Sequence, residues 1–81
     1  MKFYYVYILQ SDSASDHHYT GFTEDLAQRI EEHNSGKLPN TARFRPWILS
    51  SAHAFTNKAR ALAFERYLKS GSGREFARRH F

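Results

Sequence analysis

The hydrophobic pattern starts with an unbroken run, Phe3-Tyr4-Tyr5-Val6-Tyr7-Ile8-Leu9. A run this rich in aromatic and β-branched residues predicts a strand buried on both faces. The polar stretch Ser11 to Asp16 reads as a turn, and His17 to Phe22 as the returning strand of a hairpin. Apolar spacing then changes. Leu26 and Ile30 lie one helical turn apart, behind Thr23 as an N-cap and Glu24 and Asp25 in the first turn. This helix is expected to run to about His33 and to end at Asn34-Ser35-Gly36.

Residues 35–46, with Pro39 and Pro46, read as a basic loop, and Trp47 to Phe55 as a third strand. Thr56 is the expected cap of a second long helix, Lys58 to Lys69, which Ser70-Gly71 breaks. Ser72 followed three residues later by Glu75 has the form of a capping box for a last helix toward Phe81. The order is β-β-α-β-α-α, without repeat or linker. It predicts an α+β architecture in one domain over residues 1–81: a small three-stranded, mainly antiparallel sheet covered by helices.

Composition sharpens this picture in three ways. A chain of 81 residues supports one modest core. Its seven Phe, five Tyr and one Trp enlarge that core, since each ring buries much area for few torsions. With no Cys, neither a disulfide framework nor a thiolate metal site is available. No apolar stretch approaches the roughly 20 residues that span a bilayer, so a soluble cytoplasmic protein is expected. The net charge of +4 hides an asymmetry, because residues 1–36 are acidic and residues 37–81 strongly basic. A basic half suits either a polyanion or an ordinary solvated helical surface.

Five residues carry candidate chemistry. Arg29 and His33 border the stripe defined by Leu26 and Ile30. Arg29 can snorkel its head to water or point at a phosphate, which its planar fork binds bidentately. Glu65 stands among Ala61, Leu62, Ala63, Phe64, Tyr67 and Leu68. A carboxylate there needs a partner. Lys69 at i+4 offers an ion pair, and a hard divalent cation offers the alternative, since Mg²⁺ takes one or two carboxylates plus waters and phosphate oxygens. Tyr7 and Tyr19, taken singly, read as strand tyrosines. His17, His18, His53 and His80 show no metal-ligand spacing and are expected on the surface.

Order and spacing add what single residues lack. Tyr5-Val6-Tyr7, Tyr19-Thr20-Gly21, Arg29, His33, Glu32-His33-Asn34-Ser35-Gly36, Pro46 and Glu65 together resemble the GIY-YIG nuclease superfamily over about residues 3–70. The chain is similar to small standalone bacterial members and to the N-terminal nuclease domain of the excision-repair enzyme UvrC. The resemblance implies a DNA endonuclease acting in DNA repair, structure-directed rather than sequence-directed, with RNA left open as a substrate. It further implies one Mg²⁺ or Mn²⁺ on Glu65, Tyr7 as general base with His33 as a competitor, Tyr19 positioning water or phosphate, and Arg29 stabilising developing charge.

Lys37, Arg43, Arg45, Lys69 and Arg74 are the expected nucleic-acid contacts. The chain departs from the family pattern at Tyr5 and Thr20, and at Phe22, where several branches place a Lys; no Asn follows Asn57. Two alternatives follow, a non-cleaving nucleic-acid-binding module and a nuclease subunit dependent on a partner protein. Monomer and homodimer are both compatible with aromatics such as Phe44 and Phe81, which fit a core or an interface.

Overall fold

A computed structural model describes all residues 1–81. Its elements are β1 (Tyr4–Ser11), β2 (His18–Thr23), α1 (Leu26–Ser35), α2 (Pro39–Ala42), β3 (Trp47–Phe55), α3 (Lys58–Lys69) and α4 (Gly71–His80). The sheet is antiparallel with order β2-β1-β3, so the most apolar strand is the central one. This is the expected α+β architecture with one added element, α2.

Alternation along β1 divides its side chains between two layers. Val6 and Ile8 pack with Ala61 and Leu68, joined by Phe22, Phe55, Phe64 and Ala77. That layer is roofed by α3 and α4. Tyr7 and Leu9 face the other way, packing with Trp47 and flanked by Tyr19, Leu26, Ile30 and Phe44. Val6, Tyr7, Ile8 and Leu9 are all buried, as a strand covered on both faces requires.

The helix starts differ from the sequence reading for a common reason. At each start two polar residues compete, and the residue whose side chain reaches the amide three positions on becomes the cap. Asp25, not Thr23, accepts from the Gln28 amide at 3.1 Å, while Thr23 bonds the Asp25 backbone instead. Asn57, not Thr56, accepts from the Arg60 amide at 3.0 Å. Ser70 rather than Ser72 caps α4, accepting from the Gly73 amide at 3.1 Å. No capping box forms there, because Glu75 pairs with Arg78 at 2.6 Å.

The stretch expected to be a plain basic loop holds α2, with Pro39 at its first position, where a missing N–H costs nothing. A side-chain clamp ties this region to the sheet. Asn34 Nδ2 donates to the Trp47 carbonyl at 3.0 Å, and Asn34 Oδ1 accepts from the Trp47 amide at 2.6 Å. The Trp47 indole N–H donates to the Thr41 carbonyl at 2.8 Å. His53 also departs from expectation. It is half-buried, wedged between the Phe64 and Phe81 rings at 5.2 and 4.6 Å, because β3 turns it toward α3 and α4.

Helices α3 and α4 meet across a single residue, and Gly73 makes that junction possible. Gly73 is buried, and a side-chain carbon there would overlap the Tyr67 carbonyl. Gly73→Ala is therefore expected to destabilise the protein by about 1–3 kcal/mol, the usual cost of forcing extra volume into a packed site. Urea unfolding checks this, and an unchanged midpoint would show that the junction opens without cost.

Candidate active site

The middle of β1 sets the site. Tyr7 lies opposite Gly21 of β2 and Ala52 of β3, the smallest neighbours available to it on either side. A carbon on Gly21 would overlap the Tyr7 hydroxyl and stand 2.9 Å from the Tyr19 ring. The missing side chain thus leaves room for the Tyr7 phenol to lean across β2. Tyr19 enters from the same strand, two residues before Gly21, with its ring 6.3 Å from that of Tyr7.

From the helical side, α1 supplies His33 at 1% exposure, its ring 4.8 Å from Tyr19. The Tyr7 hydroxyl and His33 Nε2 are hydrogen-bonded at 2.8 Å in a buried setting. His33 Nδ1 is in turn 2.8 Å from the hydroxyl of Thr41 on α2, which is equally buried. Each polar atom of the imidazole therefore has one protein partner.

Electrostatics set the protonation of this pair. Burial, opposed by the neighbouring Arg29, pushes the Tyr7 phenol up to about 12. Burial, reinforced by the Arg29 charge, pulls the His33 imidazole below its ordinary value. The neutral form of both groups is favoured at neutral pH.

Arg29 stands one turn before His33 on α1 and is half-buried. Its Nη1 donates to Glu32 at 3.0 Å, and the guanidinium lies beside the Tyr7 oxygen, where its charge favours phenolate. Arg29 therefore adopts neither extreme of the sequence reading; its head remains at the edge of the site.

Glu65 arrives from α3, on the opposite layer, yet its charge is felt at the Tyr7 oxygen. Its side chain is 18% exposed and pairs with Lys69 at 3.2 Å. The ion pair foreseen from the i+4 spacing forms, but around a carboxylate largely withdrawn from water. No three His, Asp or Glu side chains are arranged so that they could hold a metal ion among themselves. A divalent cation would rest on the Glu65 carboxylate and complete its shell from water and phosphate oxygens, a donor set that suits Mg²⁺.

The five candidate residues thus come from β1, β2, α1 and α3; Tyr7 bonds His33, packs near Tyr19 and has Arg29 beside its oxygen, while Glu65 acts on it only through its charge. The sequence reading missed two contributors. Thr41 escaped because α2 was read as loop, although Pro39 is a helix-start signal. Gly21 was noted as part of a motif and not as the space that Tyr7 occupies.

The expected nucleic-acid contacts Lys37, Arg43, Arg45, Lys69 and Arg74 are all exposed. Arg43 lies over the Phe44 ring at 5.4 Å, and Phe44 stacks on His17 at 3.9 Å. Arg45 folds back, its Nε donating to the Ala42 carbonyl at 2.8 Å and its guanidinium lying against Gly36.

The GIY-YIG catalytic domain matches residues 3–79. UPF0213 protein BH0048 of Halalkalibacterium halodurans is 40% identical over 73 residues, covering 89% of this chain and 76% of that protein. Its solution NMR structure, from the organism under the name Bacillus halodurans, aligns with a TM-score of 0.56 at 36% identity, covering 94% of this chain and 80% of the other. The structure-specific endonuclease subunit SLX1 of Meyerozyma guilliermondii is 36% identical over 75 residues, covering 84% of this chain but only 25% of its own length. A match to that domain across residues 3–79, together with the 40% identical relative and its solved structure, shows that the protein belongs to the GIY-YIG nuclease family.

Proposed function

We propose that the protein is a metal-dependent endonuclease that hydrolyses DNA phosphodiester bonds and selects its substrate by structure rather than sequence. The observation that carries this reading is the buried 2.8 Å hydrogen bond between Tyr7 and His33, with Arg29 and Glu65 acting electrostatically on the same oxygen. Resemblance to proteins named subunits of structure-specific endonucleases supports both the substrate class and a partner protein that helps to choose targets.

Geometry suggests how the labour divides. A phenol held near 12 cannot act as a free base at neutral pH. Neutral His33 resolves this, because its Nε2 faces the phenol and can take its proton. In the transition state water attacks phosphorus, its proton moves to the Tyr7 oxygen, and the phenol proton moves to His33 Nε2. Tyr7 and His33 are then one relay rather than competing bases. Arg29 stabilises negative charge growing on the phosphoryl oxygens and on Tyr7. Tyr19 holds the water or phosphate in line, and Glu65 would hold the cation. When bound, Mg²⁺ or Mn²⁺ supplies Lewis-acid polarisation of the phosphate and charge neutralisation.

Three outcomes are expected with branched and flapped DNA and Mg²⁺ or Mn²⁺. Arg29→Ala should lower kcat by about 100- to 1000-fold, the effect of losing one preorganised charge-stabilising donor. Tyr7→Phe and Gly21→Ala should each reduce cleavage by at least about 100-fold, the first by removing the relay oxygen and the second by displacing it. Glu65→Gln should abolish metal-dependent cleavage while leaving the fold intact. Cleavage that persists in Glu65→Gln would contradict the reading, and binding without cleavage by the wild-type protein would favour a non-cutting module.

The pH dependence follows from His33. Its folded-state value is depressed, so it stays neutral below the ordinary imidazole range. Activity is therefore retained as pH falls through about 6.5 and is lost only below it. Stability moves in the same direction: the unfolded chain takes up a proton that the folded one resists, so stability declines as pH drops below about 6.5. Rate–pH profiles at saturating metal check this, and an acid limb above the ordinary imidazole value would contradict it.

A further inference from the structure

We propose that Thr41 is a positioning residue of this site, whose hydroxyl holds His33 as the Nδ1-protonated tautomer and so keeps Nε2 facing Tyr7 as a proton acceptor. The inference deepens the nuclease reading and rests on it for its effect on cleavage; the tautomer itself does not.

A neutral imidazole carries one N–H, and its two nitrogens here face two hydroxyls, each at 2.8 Å, with all three side chains about 1% exposed. Two assignments satisfy both contacts. In the first, Nδ1–H donates to Thr41 and Tyr7 donates to Nε2. In the second, Thr41 donates to Nδ1 and Nε2–H donates to Tyr7.

The surroundings of the two hydroxyls separate these assignments. Thr41 has an acceptor for its own proton, the Leu38 carbonyl one turn back at 3.5 Å, a long contact but the only other partner within its reach. Its oxygen is then free to accept from Nδ1. The Tyr7 oxygen lies beside Arg29, which can only donate, so a second donor from His33 would leave the phenol proton without a protein acceptor. The first assignment pairs every proton.

It also remains satisfied through the proposed reaction. When the phenol proton moves to Nε2, the resulting imidazolium needs an acceptor at each nitrogen. The lone pair of the Tyr7 oxygen, which has meanwhile taken the water proton, provides one and Thr41 provides the other without moving. The same logic makes a buried acceptor behind an imidazole valuable in other hydrolytic sites.

The fold holds Thr41 firmly for this purpose. Its carbonyl receives the Trp47 indole N–H at 2.8 Å, and Trp47 is clamped through its backbone by Asn34, the residue after His33. The imidazole and its rear partner are thus tied to the same strand.

The test is multiple-bond ¹⁵N–¹H correlation of the imidazoles in the full chain without metal or DNA, with the His33 signals assigned through His33→Gln. Wild-type protein, Thr41→Ser and Tyr7→Phe should all show His33 mainly protonated at Nδ1, because the hydroxyl behind it is present in each. Thr41→Val should shift His33 to more than half Nε2-protonated. In the cleavage assay Thr41→Val should lose on the order of 10- to 100-fold in kcat with KM unchanged, as when outer partners of site residues are removed, and Thr41→Ser should recover most of it. Nε2 protonation in the wild type, a switch of tautomer in Tyr7→Phe, or retained Nδ1 protonation in folded Thr41→Val would each overturn the proposal. If the wild-type protein cuts no DNA yet shows the expected tautomers, the nuclease reading fails and the assignment to Thr41 stands.

Discussion

Burying three polar side chains side by side demands that they satisfy one another, and this demand organises the centre of the molecule. Tyr7, His33 and Thr41 are each about 1% exposed, and their hydrogen bonds form a continuous chain from the central strand through α1 to α2. An unpaired buried donor or acceptor costs about 1–3 kcal/mol, so no member of the chain can be removed neutrally. Catalytic geometry and structural integrity therefore draw on the same contacts. Gly21 completes the arrangement by leaving space on β2 that any other residue would fill.

From that centre the rest of the architecture follows. Alternation along β1 sends Tyr7 toward α1 while Val6 and Ile8 anchor α3 on the other side. The anchoring brings Glu65 close enough for its charge to act on the phenol. Residues far apart in the chain, from the first strand to the penultimate helix, thus act on one oxygen, Glu65 through its charge alone. Burial and Arg29 act in opposite directions on that oxygen, and burial prevails in the resting protein. A high phenol value and a low imidazole value favour the neutral form of both groups, which suits the proton relay proposed for them.

Strand and helix periods were legible in the sequence because they are local. Residues 3–9, Leu26 with Ile30, and the helix formers from Lys58 to Lys69 each declared their element, and the hairpin followed from the polar turn between aromatic runs. Helix caps were less legible, since Thr23 and Asp25, or Thr56 and Asn57, are equally good candidates until backbone geometry selects one. The candidate site was legible as a set of residue types in a familiar order, not as a geometry. That Tyr7 and His33 share a proton site depends on a contact 26 residues apart in sequence, and no local pattern encodes it. Thr41 is hidden for a different reason, since α2 lies in a stretch that reads as loop, and Asn34, whose sequence context marks only a helix end, is the clamp on Trp47.

The central claim is that Glu65, Tyr7 and Arg29 surround one place where a cation and a phosphate meet. The most direct measurement is anomalous diffraction from a crystal of the protein soaked with Mn²⁺. The account predicts a single strong peak coordinated by the Glu65 carboxylate, next to the Tyr7 hydroxyl and the Arg29 guanidinium. Density instead in the acidic hollow lined by Glu24, Asp25 and Glu32, with none at Glu65, would contradict it.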